Sequence, residues 1–316
     1  MRKSFMLIVV ILGVLSTFSV VAQDDEITFE ERDLTVDGQE RNYLLYIPPT
    51  YDASNPVPLV FVFHGGGGNP ELYEEVTAFG EKARDEGFIL VYPAGSSRRQ
   101  RLLTWNAGHC CGYAQENDID DVAFFRAIVA DLTAEFNVDF DRIYAAGHSN
   151  GGMLTYRLAA EASDILAAVG VMAGTIGGYP TVDSNDLIVI AQPENPVSVI
   201  HIHGMADENV PYAGGESNGA LDDPRIDLSV AESINFWLDA DECETTPTTE
   251  TSDDAMVITD IYDCPETGTT VALISIVDGG HAWAGGNPGS RLSDTPSERV
   301  SATDEVWAFF LAHPRP

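Results

Sequence analysis

The segment Gly147-His148-Ser149-Asn150-Gly151-Gly152 constrains the fold of this chain more than any other. It contains Gly-x-Ser-x-Gly, which is easily met by chance, so its context decides what it means. Before it, Asp141-Arg142-Ile143-Tyr144-Ala145-Ala146 reads as a short buried strand. After it, Met153 to Ala160 places apolar residues at helical spacing. Strand, sharp turn and helix form the setting in which the central serine projects above a sheet on a nucleophile elbow. The flanking positions then lie so close to other backbone that glycine alone fits without steric cost.

Other stretches fit the same architecture. Pro58-Leu59-Val60-Phe61-Val62-Phe63 is continuously apolar, as a strand covered on both faces must be. Glu71 to Glu86 reads as one helix, and Phe88 to Pro93 as the next strand. Asp118 to Phe136 is a helix, with Asp120 and Asp121 at its positive end. Further strands are expected at Leu166–Met172, Val197–His203, Met256–Tyr262 and Val271–Val277, and further helices at Leu228–Ala240 and Ser301–Leu311. Ser301 with Asp304 resembles a capping box. Near the start, Asp37-Gly38 between two alternating runs marks a hairpin. The alternation predicts an α/β fold, with a mostly parallel central sheet and helices on both faces.

Residues 1–22 read as a secretory signal: Arg2 and Lys3, then an apolar run from Met6 to Leu15, then small residues up to Ala22. Residues 23–316 then form a single catalytic domain, with no membrane association after cleavage. The formal charge of −34 leaves nothing to neutralise phosphates, which argues against a nucleic-acid partner. The four cysteines, Cys110, Cys111, Cys243 and Cys264, lack zinc-site spacing, and no metal is expected. Three pairings are open to them. The simplest joins Cys243 to Cys264 across an apparent strand pair and leaves Cys110 beside Cys111 to stay reduced or pair elsewhere.

A serine hydroxyl needs a base, and the base needs an orienting carboxylate. On an elbow fold these follow in the order serine, acid, histidine, each after a strand. Asp207 and His281 meet that order. Asp120, Asp121 and Asp278 are weaker rivals for the acid. Of the seven histidines, His109 precedes the elbow, His313 is in the tail, and His64 and His148 lie inside other motifs. His201 and His203 are taken to face opposite sides of one strand. The developing oxyanion needs preplaced donors: the N–H of Asn150 and, from His64-Gly65-Gly66-Gly67-Gly68, that of Gly66, with Gly65 as the alternative. That glycine loop lacks the pattern of a phosphate-binding loop. Trp105 and Trp283 are candidates for stacking on an aromatic or short acyl group.

Together, His64-Gly65-Gly66-Gly67-Gly68-Asn69, Trp105-Asn106 with Cys110-Cys111-Gly112, Asp120-Asp121-Val122, the elbow, His203-Gly204-x-x-Asp207 and Gly279-Gly280-His281-x-Trp283 resemble the polyhydroxybutyrate depolymerase and feruloyl esterase group of α/β-hydrolases. The resemblance covers nearly all of residues 23–316. It implies a secreted serine esterase without cofactor, acting on hydroxyalkanoate oligomers or on hydroxycinnamoyl or acetyl esters of polysaccharides. It also implies Ser149 as nucleophile, Asp207 as acid and His281 as base. Ala284 stands where relatives often carry proline, and Gly65–Gly68 lacks the cysteine some relatives have there. A serine peptidase of the same fold and a non-catalytic binding module are the competing readings.

Overall fold

A computed structural model describes residues 27–99, 101–217, 224–289 and 294–316. The expected signal segment, 1–22, lies outside the described residues. The chain opens with a hairpin, β1 (Glu30–Val36) and β2 (Gln39–Tyr46), turned at Asp37 and Gly38 with φ of 51° and 78°. Two consecutive positive φ values match the twist of the strands, and this explains the Asp-Gly pair. Then follow β3 (Val57–Phe63), α1 (Pro70–Thr77), α2 (Phe79–Glu86), β4 (Ile89–Pro93), α3 (Gly112–Glu116), α4 (Asp121–Glu135), β5 (Val138–His148), α5 (Asn150–Glu161) and β6 (Ala168–Met172). After these come β7 (Gly177–Tyr179), β8 (Ile188–Val189), β9 (Ser198–Gly204), β10 (Gly215–Glu216), β11 (Ile226–Asp227), α6 (Val230–Ala240), β12 (Thr248–Thr251), β13 (Val257–Cys264), β14 (Thr269–Ile276) and α7 (Ala302–Ala312).

The main sheet runs β1-β2-β4-β3-β5-β6-β9-β14-β13-β12. Its centre, from β4 to β14, is parallel, and both edges are antiparallel. Side chains alternate across it with period two. Leu59, Phe61 and Phe63 of β3 join one core with α4, α5 and α6; Val60 and Val62 join the other with α1, α2 and α7. Both faces are therefore covered, which is why β3 carries no polar residue. The carboxyl ends of β3, β5, β9 and β14 share one edge, where ligands bind in folds of this kind.

Several local expectations need correction. The single helix over Glu71–Glu86 is broken at Ala78, which takes the left-handed conformation (φ 52°, ψ 31°) and donates its N–H to Glu74 O. The break is held from outside: Glu74 Oε2 accepts both Gly80 N–H and the Tyr92 hydroxyl, and Phe79 packs edge-on against Trp283. The second helix starts at Asp121, with the Asp120 carboxylate capping Ala123 N–H. Cys243 and Cys264 are bonded, but Cys243 lies beyond the end of α6 rather than on a strand, so the bond ties helix to strand. Cys110 pairs with its neighbour Cys111 across a cis peptide bond. Ser301 Oγ does accept Asp304 N–H, while the Asp304 carboxylate pairs with Lys82. The reciprocal capping box is instead at Ser229 and Glu232.

Candidate active site

β5 hands over to α5 at Ser149, which has φ 55° and ψ −124°. A residue with a Cβ avoids positive φ, so this conformation must be over-determined by its surroundings. Ser149 N–H donates to Met172 O at 2.9 Å, and Met153 N–H donates to Ser149 O at 2.9 Å. The motif glycines let the elements close on the turn. A Cβ on Gly147 would meet the Gly151 carbonyl and the Thr155 hydroxyl; one on Gly151 would meet the carbonyls of Phe63 and His64.

The loops after β9 and β14 bring Asp207 and His281 to this turn. His281 Nε2 lies 2.8 Å from Ser149 Oγ, and His281 Nδ1 lies 2.7 Å from Asp207 Oδ2. Because a carboxylate only accepts, Nδ1 carries the hydrogen and Nε2 is bare toward the serine hydroxyl. Asp207 Oδ1 accepts the backbone N–H groups of Asn209 and Val210 at 2.8 and 2.9 Å. Burial pushes the Asp207 carboxyl upward, but hydrogen bonds from His203 and His281 outweigh it and hold the group below the usual carboxylate range. His281 N–H donates to Asp294 Oδ2 at 2.6 Å, which anchors the loop from its far side. His148 lies against His281 with ring centroids 4.9 Å apart and the planes tilted by 36°. Burial, then the neighbouring His281, push His148 down to about 3, so this ring stays neutral beside the base. Its Nδ1 accepts the Tyr73 hydroxyl at 2.7 Å.

The glycine loop after β3 lies beside the elbow. Gly67 N–H is taken by Leu103 O and Gly68 N–H by Gly65 O. Gly66 is partly exposed, whereas Gly65 is buried against Tyr73 and His148. Asn150, the residue after the serine, is buried and its carboxamide is doubly committed: Oδ1 accepts Trp105 N–H at 2.8 Å and Nδ2 donates to Trp105 O at 3.0 Å.

Trp105 itself is not a stacking platform. It is fully buried, its indole N–H donates to His64 O at 2.8 Å, and its ring packs edge-on against Phe63. Trp105 thus joins the elbow to the glycine loop. Trp283 is also interior, its N–H donating to Thr303 Oγ1 at 3.0 Å. Each indole has a buried acceptor and an apolar bed, so neither ring offers a free face.

The rival residues have other work. Asp121 is buried against Arg41 at 2.8 Å and accepts Asn106 N–H; Asp278 pairs with Arg299 at the surface. His109 pairs with Asp227 at 3.0 Å, both buried. His64 is buried, which pushes it down to about 4, and its Nε2 accepts Gly95 N–H. His201 and His203 share one face rather than opposite ones, since residues two apart on a strand point the same way. They are hydrogen-bonded to each other at 2.9 Å.

Against known proteins, the esterase PHB depolymerase family model matches residues 41–214, more than half of the chain. The chain belongs to that family. It is 31% identical over 299 residues to "Putative esterase NocK" of Nocardia uniformis subsp. tsuyamanensis, covering 90% of this chain and 83% of that one. It is 26% identical to feruloyl esterase B of Piromyces equi, covering 79% of this chain and 44% of that one. Among solved structures, an acetyl xylan esterase from Aspergillus awamori superposes with a TM-score of 0.57 at 15% identity, covering 80% of this chain and 94% of that one. That likeness is one of fold. As a member of the PHB depolymerase family, the protein is a carboxylic ester hydrolase with the α/β-hydrolase fold.

Proposed function

We propose that Ser149 is the nucleophile of a two-step ester hydrolysis, with His281 as base and Asp207 as its orienting acid. His281 Nε2 takes the hydroxyl proton as Ser149 Oγ attacks the ester carbonyl. The tetrahedral oxyanion is held by the N–H of Asn150 and of Gly66, which is partly exposed, whereas the N–H groups of Gly67 and Gly68 are taken by Leu103 O and Gly65 O. Collapse releases the alcohol, which takes the proton from His281, and leaves an acyl-enzyme. Water then attacks by the same route in reverse. The observation that carries this reading is the continuous line Ser149 Oγ, His281, Asp207, with contacts of 2.8 and 2.7 Å.

The names of the relatives support acyl esters of hydroxycinnamoyl, acetyl or short hydroxyalkanoyl type as substrates. The apolar segment from Met6 to Leu15 supports export, with cleavage after Ala22 and residues 23–316 acting as one catalytic unit. Among the described residues, no helix is long and apolar enough to cross a membrane.

The test is covalent labelling with a fluorophosphonate, followed by peptide mapping. Ser149 should carry the label. Ser149→Ala should lose the label and at least about a thousandfold in p-nitrophenyl acetate turnover, with an unchanged circular dichroism spectrum. Full turnover by that variant would sink the assignment. A panel of methyl ferulate, acetylated xylan, hydroxybutyrate oligomers and a short peptide then ranks the substrates.

A further inference from the structure

Behind the proposed acid lies a buried row of polar groups that the reaction above does not use. Tyr156 of α5 and His201 and His203 of β9 are all fully buried. The Tyr156 hydroxyl lies 2.5 Å from His201 Nδ1, and His201 Nε2 lies 2.9 Å from His203 Nδ1. His203 Nε2 lies 2.9 Å from Val210 O and 3.3 Å from Asp207 Oδ2.

The hydrogens of this row can be placed by counting. Val210 O and the Asp207 carboxylate only accept, so His203 Nε2 carries a hydrogen. At the far end, the Tyr156 hydroxyl has one partner among the described residues, His201 Nδ1. A buried hydroxyl must donate somewhere, so it donates there. His201 Nδ1 is then bare and, burial keeping this ring neutral, Nε2–H donates to His203 Nδ1. Every bond points the same way, from Tyr156 through His201 to His203, whose Nε2–H is directed at Val210 O with Asp207 Oδ2 beside it. Asp207 Oδ2 therefore receives His281 Nδ1–H at 2.7 Å and lies 3.3 Å from His203 Nε2, whose hydrogen has Val210 O as its nearer acceptor at 2.9 Å, while Oδ1 receives two backbone N–H groups.

We propose that His203, fixed in its tautomer by His201 and Tyr156, is a positioning residue for Asp207. It pins the carboxylate in the line of the His281 ring and shares the oxygen that faces His281. This rests on the reading of Ser149, Asp207 and His281 given above. Sharing the oxygen limits how strongly the carboxylate holds a protonated His281, which must give its proton to the leaving alcohol. Without His203, Asp207 would be freer to rotate and would pull harder on the imidazolium. Among the described residues, the groups that face this pair are His203 and His281 on Asp207, and Ser149, His148 and Asp294 on His281.

The experiment compares wild type, His203→Leu, His203→Gln and Tyr156→Phe. Each is assayed on p-nitrophenyl acetate for kcat, KM and the pH profile of kcat/KM, with urea midpoints as the folding control. His203→Leu removes the donor; kcat should fall about tenfold or more, as expected for a lost bond to a charged group. KM should stay within about twofold and the acid limb should move to higher pH. His203→Gln, which can still place an N–H near Asp207, should recover most of kcat and the wild-type acid limb. Tyr156→Phe removes only the terminal hydroxyl and should shift the limb in the same direction by a smaller amount. A folded His203→Leu with wild-type kcat and acid limb overturns the proposal. So does His203→Gln as impaired as His203→Leu, because packing alone would then explain the loss. If His203→Leu does not fold, an acid limb left unmoved by Tyr156→Phe is decisive against it. Fluorophosphonate labelling of wild type separates the failures: an unlabelled Ser149 defeats the reaction assigned above, whereas a labelled, active wild type with unaltered variants defeats only the role of His203.

Discussion

Asp207→Asn should abolish turnover by reversing one ring, and the geometry shows why the ring has no alternative. The two backbone N–H groups of Asn209 and Val210 occupy the Oδ1 side at 2.8 and 2.9 Å, so an amide NH2 there would meet two donors head-on. The amide nitrogen must take the Oδ2 side. It would then face His281 Nδ1 at 2.7 Å with its own hydrogens, and His281 could accept only by moving its proton to Nε2. Nε2–H would point at Ser149 Oγ, 2.8 Å away, as a donor to the atom it should deprotonate. Loss of the correct tautomer costs about 10⁴ in kcat where the same constellation has been dissected. Here His203 Nε2–H would also face the amide nitrogen rather than an acceptor, although Val210 O still receives it. The expectation is therefore a fall of at least about a thousandfold in kcat, KM within a few-fold, and no change in the unfolding free energy from urea titration beyond about 1 kcal/mol. Initial rates on p-nitrophenyl acetate from pH 6 to 9 measure it. Retention of more than a tenth of wild-type kcat would refute the reasoning, since His281 would then not depend on Asp207 for its tautomer.

Two further outcomes follow from buried groups. Trp105→Phe keeps the edge contact with Phe63 and the backbone bonds to Asn150, but leaves His64 O without its indole donor. An unsatisfied buried carbonyl costs about 1–3 kcal/mol, and a loosened glycine loop should lower kcat more than it changes KM; equal kcat with a lowered urea midpoint would make Trp105 purely structural. Asp241 accepts Val197 N–H and the Thr269 hydroxyl, and burial pushes its carboxyl up to about 6. Its folded value lies above its unfolded one, so ionisation penalises the fold increasingly as pH rises from about 4 to 6, and fully above 6. Asp241→Asn should therefore stabilise the protein by up to about 3 kcal/mol at pH 8 and by little at pH 4. Thr269 can turn its hydrogen to Thr267 Oγ1, 2.8 Å away, to receive the amide. Urea midpoints at the two pH values measure the difference, and an equal gain at both would exclude a charge effect.

The parts of this molecule legible in sequence are those fixed by neighbours along the chain. The Asp37-Gly38 turn, the two-faced apolar run of β3 and the glycines around Ser149 each answer a constraint acting within a few residues. The order of Asp207 and His281 was also legible, because the topology places successive strand ends on one edge. What escaped is set by partners far away in sequence. Nothing local marks Ala78 as left-handed; the break is held by Tyr92 and Trp283 through Glu74 and Phe79. Trp105 sits among polar residues, yet its indole finds His64 O across 41 positions.

The same division bears on how this site could change in evolution. Ser149, Asp207 and His281 lie on loops, and part of what orients them lies in strands and helices. Asn150 bonds Trp105, Asp207 faces His203 from β9, and His203 leads to Tyr156 in α5. A loop can be rebuilt for another acyl group without disturbing that support. His201 and His203 cannot be exchanged for apolar residues so freely, although both are fully buried. Each carries a hydrogen that the next group needs, so removing either leaves a buried acceptor or donor without its partner. Two histidines two apart on a fully buried strand, bonded to each other and to Tyr156, therefore form a directed hydrogen-bond chain that ends at Val210 O beside Asp207.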